Sequence, residues 1–382
     1  MAALKSSRAR AAVDQLPAIL QNLAEKPKAS DAYLWCDYIE LRCLTSIDHR
    51  FSRGNLSEMF AEIGAVMDAH IDNEDDEDED EEIIEGLKIE ANAGNAVAQA
   101  VVAFDTPDGS PTGVIPPADI REGRAGSIFA SLAHRASVFG EYYPFELNVA
   151  TQELSMRDAN TATRALYLQL LLSSSLRLVP KKRRHELTEP FELVAEAIFK
   201  CLMPGGWQVH RFGAKGAASQ FKGKLFNRLT TLASDIRATL AVKARHFNDH
   251  NVGDGGLDLV AWHPLGNDSR SGIPIAFAQC GCAAEEWSLK TLDCSPSKIG
   301  PYFHGVTHPW ATYYFMPQDL YEESPDGPDW QQRLKLTSSI VLDRLRLIRL
   351  ADEYCVADTC FGTESQVYEA FSSGAMVSLE AA

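Results

Sequence analysis

Two short runs of β-forming residues constrain this chain most: Leu257 to Trp262 (LDLVAW) and Ile273 to Cys280 (IPIAFAQC). A polar connection, HPLGNDSRSG, separates them, and GDGG precedes the first, so the pair reads as neighbouring strands joined by a hairpin-like loop. Side chains alternate along a strand. This expectation puts Asp258 on the face of Val260 and Trp262, and Gln279 on the face of Ile275 and Phe277. A short helix from Ala283 then carries Lys290. Asp254 and the glycines around it suit turn geometry.

The flanking chain has α/β character from about residue 186. Phe191, Leu193, Val194, Ala197, Ile198 and Leu202 form a helical stripe, with Pro190 near its start and Pro204-Gly205-Gly206 at its end. Trp207 to Phe212 alternates like a strand. Ala218 to Phe247 reads as one long helix, Trp310 to Phe315 as a strand, and Ser338 to Leu342 as an extended run leading into a basic helix from Asp343. Residues 1–180 read as a mainly helical region. Amphipathic stretches are expected over Ala11 to Ala24, Asp31 to Ile47, Leu56 to Ile71, Asp119 to Val138 and Thr161 to Leu178, with a strand over Tyr142 to Ala150. KKRR (181–184) marks the joint, with a phosphate contact as its lesser reading, and residues 186–382 form the second domain.

Charge is unevenly placed. Ten of the 53 acidic residues lie in the run 72–82, which reads as a solvated loop; without it the net charge of -17 falls to about -7. Between Trp207 and His246 the chain carries eight Lys or Arg against a single acid, Asp235. Lys215, Lys222, Lys224 and Arg228 in that segment are the candidate contacts to a polyanion, with a solvated helix face as the plain alternative. The eight cysteines are scattered, which favours reduced thiols. Cys280, Cys282 and Cys294 allow a zinc reading, but a C-x-C at a strand end is poor geometry for one. No apolar run approaches the roughly 20 residues that span a bilayer, so a cytoplasmic protein without a membrane partner is expected.

Neighbouring strands lie about 4.8 Å apart. Asp258 and Gln279 at adjacent strand ends can therefore offer oxygens to one hard cation, Mg²⁺ or Mn²⁺. Such an ion activates water and offsets charge at phosphorus, and a nearby lysine adds positive charge. Other chemistries are not written in the chain: it has no G-x-S-x-G, no G-x4-GK[ST] and no H-E-x-x-H.

An Asp on a strand after GDGG, followed by Gln on the next strand, resembles the PD-(D/E)XK, or restriction-endonuclease-like, nucleases, and the wording is closest to their Mrr-like branch. Phe191-Glu192 looks like the FE element of that branch. The resemblance covers roughly residues 188–350 and implies a mixed sheet flanked by helices. It further implies metal-site roles for Asp258 and Gln279, an auxiliary acid in Glu192, DNA as substrate, and a place in bacterial restriction or anti-phage defence with a partner protein or a second copy. The family's lysine position falls on Gly281, so Lys290 is the replacement the resemblance suggests. Its alternative outcome is a nuclease fold kept as a binding or assembly scaffold.

Overall fold

The computed structural model describes residues 26–27, 32–46, 48–61, 117–157, 161–213, 220–247, 255–283, 287–324, 327–330, 333–336 and 339–357. The expected helix over 11–24, the acidic run, residues 86–116, Lys215, His250, Asp254 and the tail from Gly374 lie outside them. The chain divides into two compact units between Arg157 and Asp158.

In the first unit, α1 (Ala32–Thr45) is followed by β1 (Arg50–Ser52), a helical segment over 53–61, α2 (Pro117–Phe139), β2 (Phe145–Asn148) and β3 (Glu153–Met156). The strands pair antiparallel in the order β1-β3-β2, so the region read as mainly helical also holds a small sheet. β2 lies within the strand expected over Tyr142 to Ala150, whereas β1 and β3 are too short for their alternation to be legible. Helix α1 is buried nearly all round, its acids included. Arg135 of α2 explains this: its Nη1 donates to Asp37 Oδ1 at 2.7 Å and Glu40 Oε1 at 2.9 Å, while the Tyr143 hydroxyl donates to the same Glu40 oxygen. Buried charges need such pairing.

The second unit begins with α3 (Ala162–Ser174) and α4 (His185–Leu202). Thr161 caps α3 by accepting the Arg164 N–H. The sequence reading assigns α3 to the N-terminal domain, but it packs on α4 and on the last helix of this unit. Its apolar residues are buried on all sides, which periodicity alone cannot assign to a partner. Then follow β4 (Gln208–Arg211), α5 (Leu225–Asp235), β5 (Thr239–Leu240), β6 (Leu259–Trp262), β7 (Ile275–Cys280), α6 (Trp287–Lys290), α7 (Pro296–Ile299), β8 (Phe303–His304) and β9 (Ala311–Phe315). A hairpin, β10 (Tyr321–Ser324) with β11 (Gly327–Trp330), leads to β12 (Ile340–Leu342) and α8 (Arg344–Glu353).

Five strands form one mixed sheet in the order β12-β9-β7-β6-β4. β4, β6 and β7 are antiparallel neighbours, whereas β7, β9 and β12 run parallel. A parallel neighbour requires a long crossover, and α6 and α7 lie in the one between β7 and β9. Leu225, Leu229 and Leu232 of α5 share one core with Val260, Trp262, Ile275, Phe277 and Trp310. On α4, Phe199 meets the rings of Tyr313 and Phe315. The unit is therefore mixed α/β, with helices and a mixed sheet. Among the described residues no helix is long and apolar enough to cross a membrane.

The long helix expected over Ala218 to Phe247 is instead the eleven-residue α5. It stops where Arg237 takes a left-handed conformation, φ 57°, and the chain turns into β5, which pairs with β8. Arg237 Nη1 donates to Asp268 Oδ1 at 2.8 Å, and its Nη2 donates to the Pro264 carbonyl. Ile236, Leu240 and Phe247 still reach the core, by a bent path that mimics helical spacing.

Helix α8 starts on Asp343, whose Oδ1 accepts the Arg346 N–H at 3.1 Å. Burial, followed by the Asp319 charge, raises the Asp343 carboxyl from 3.8 to about 7. A folded-state value above the unfolded one means the folded protein holds the proton more tightly, so Asp343 costs stability as pH rises across that window. Asp343→Asn should flatten the fall in stability between those two values while keeping the cap, as read by urea unfolding at a series of pH values. An unchanged slope would show that Asp343 titrates normally.

Candidate active site

The sheet brings the chemistry to the end of β6 and β7. Leu259 pairs with Ala278, yet the Asp258 N–H also goes to the Ala278 carbonyl, at 3.0 Å. Two residues of one strand thus face one of the other, the pattern of a β-bulge. Leu257 joins Val260 and Trp262 in the core, so alternation breaks at Asp258. This corrects the expected face: Asp258 precedes the strand rather than lying in it. Its Oδ2 accepts the Cys280 N–H at 2.7 Å, and its carbonyl accepts from Phe212 N–H. The carboxylate is thereby fixed against the end of β7.

Asp258, Gln279, Lys290 and Glu192 all line one cleft of about 540 Å³. Glu192 comes from α4, where Arg184, Thr188 and Glu192 stand at successive i, i+4 positions and all reach the cleft. Arg177, Cys280, Gly281 and Cys282 also line it. Glu196, one turn beyond Glu192, instead pairs with Lys200 and Arg211.

Two oxygens mark this end of the sheet as unfinished. Gln279 Oε1 and the Tyr314 hydroxyl are buried and have no hydrogen-bond partner among the described residues. Gln279 and Tyr314 are cross-strand partners on β7 and β9. An unmet buried polar atom costs about 1–3 kcal/mol, so bound water or a ligand is the natural partner. Gly281 has no room for a side chain. A Cβ there would lie far inside contact distance of the Tyr314 hydroxyl and 2.6 Å from its Cζ. Tyrosine fills the space that a side chain at 281 would need.

Burial, then the Asp258 and Glu192 charges, push the Cys280 thiol well up, and burial with Glu192 and Asp258 does the same at Cys282. Among the described residues no group of three or more His, Cys, Asp or Glu could hold a metal ion. The donor set of the cleft is therefore two carboxylates and an amide oxygen, all hard oxygen ligands of the kind Mg²⁺ or Mn²⁺ takes.

The other candidates lie elsewhere. Lys222 and Lys224 are exposed, Arg228 donates to the Gly223 carbonyl, and none of the three lines the cleft. Arg344 is wholly buried, with Nε on the Pro317 carbonyl and Nη2 on Ser174 Oγ, and Arg346 lies over the Trp330 ring. Neither lines the cleft. His246 and His263 accept loop backbone N–H groups, and Trp287 is core. Arg177 and Tyr314 carried no motif that could single them out, whereas the Arg184–Thr188–Glu192 stripe was there to be read. No family model, curated protein or solved structure matches the chain.

The contact at Gly281 is testable. Gly281→Ala should cost about 1–3 kcal/mol through overpacking. Combining it with Tyr314→Leu should cost less than the two singles added, as residues in contact do not add. Chemical unfolding of the four proteins reads this, and strict additivity would remove Tyr314 as the obstacle.

Proposed function

We propose that this protein is a metal-dependent nuclease with a restriction-endonuclease-like core, acting on DNA. One observation carries the reading. Four residues from separate elements, spread from 192 to 290, line a single cleft, and the amide oxygen of one of them, Gln279, is buried without a partner among the described residues. The sheet, with three antiparallel strands followed by two parallel ones, supports the arrangement expected for such a core.

In this reading Asp258, Gln279 and Glu192 hold Mg²⁺ or Mn²⁺. The ion, when bound, lowers the pKa of a water and offsets charge on the phosphoryl oxygens. The residues supply the rest. The Cys280 N–H holds the Asp258 carboxylate in one orientation, so little reorganisation is needed during reaction. Lys290 is half-buried and makes no ion pair among the described residues, leaving its ammonium to orient the attacking water. Water adds to phosphorus, one P–O ester bond breaks, and the departing oxygen takes up a proton.

A competing reading, a nuclease fold retained as a binding scaffold, draws on Tyr314 occupying the place of a side chain at 281. Plasmid DNA incubated with Mg²⁺ or Mn²⁺ separates them. The nuclease reading expects cleavage that EDTA abolishes and that Asp258→Ala slows about a hundredfold or more. Absence of metal-dependent cleavage by the wild type would favour the scaffold.

A further inference from the structure

The connection between α3 and α4 presents cations to the cleft that make no ion pair among the described residues. Arg177, in the turn Leu176–Leu178, is half-buried, lines the cleft and makes no hydrogen bond or ion pair among the described residues. Arg184, at the start of α4, spends only Nε, on the Val179 carbonyl at 3.1 Å, which leaves its terminal nitrogens uncommitted. Thr188, one turn further, adds a hydroxyl on the same side. Lys181 and Lys182 are exposed on the turn between the two arginines, while Arg183 is taken up by Glu186. Partly desolvated guanidinium groups left unpaired are poorly placed for stability alone, and their planar forks match phosphate oxygens.

We propose that Arg177 and Arg184 form the phosphate-binding edge of the cleft and grip the nucleic-acid backbone beside the bond to be cut. The ligand class is a phosphodiester chain, and this rests on the nuclease reading only for what the anion belongs to. Lys181 and Lys182 continue the positive track outward, toward a further phosphate. The exposed lysines of the α5 edge, Lys222 and Lys224, take no part, in contrast to what charge counting along the sequence suggests.

Fluorescence anisotropy of a labelled duplex oligonucleotide in EDTA measures binding without cleavage. Arg177→Ala should weaken binding about tenfold, with a slope of log Kd against log salt shallower by about one. Arg177→Lys should retain most of the affinity, and Lys222→Ala with Lys224→Ala should bind as the wild type does. Arg177→Gln repeats the test should the alanine variant melt differently. A mononucleotide that competes as well as the duplex would show a free-phosphate site and overturn the backbone assignment. Wild-type binding by Arg177→Ala at every salt concentration, or no measurable affinity in the wild type, would overturn the proposal. The nuclease reading fails separately, on metal-dependent cleavage, which this assay does not read.

Discussion

The pairing of β6 with β7 is the constraint on which the cleft depends. Four residue pairs hold the register from Trp262–Ile275 to Leu259–Ala278, and the core behind them, Val260, Trp262, Ile275 and Phe277, fixes it. A slip by one residue would turn each buried side chain to the opposite face. The bulge at Asp258 comes at the last step of that ladder, where two residues face Ala278. Without it, the carboxylate would follow Val260 and Trp262 toward the α5 core. With it, the carboxylate meets the Cys280 N–H and joins Gln279 and Glu192 in one cleft.

Electrostatics sharpen that cleft. Burial first, and the Asp258 and Glu192 charges after it, push the Cys280 and Cys282 thiols up. Arg177, Arg184 and Lys290 bring positive charge into the same space. Acidic oxygens beside uncompensated cations form a surface that a cation and a phosphate can occupy together. Tyr314 fills the place beside Gly281, so no side chain can enter the cleft from that position without Tyr314 moving.

Much of this was legible in the sequence. The two strands at 257–262 and 273–280, the strand at 310–315 and the helix bearing Glu192 carry strong local patterns, and Asp258, Gln279, Lys290 and Glu192 are brought to one cleft. What escaped depends on distant contacts. The face of Asp258 was misread because a bulge leaves no trace in alternation. The end of α5 was misread because Arg237 is fixed by Asp268 and Pro264 in a loop some thirty residues away. Helix α3 was placed in the wrong part of the chain because a helix buried all round names no partner, and here that partner includes Arg344. Lys222, Lys224 and Arg228 of the basic segment do not line the cleft, since charge counted along a chain says nothing about which side of the sheet each cation faces.

The central claim is that Gln279 Oε1, buried and without a partner, is completed by a hard metal ion shared with Asp258. Anomalous scattering from crystals grown with Mn²⁺ tests it most directly. The account predicts a peak in the cleft within about 2.3 Å of both Gln279 Oε1 and the Asp258 carboxylate. A cleft with no anomalous peak, or an ion there that Gln279 does not touch, would contradict it.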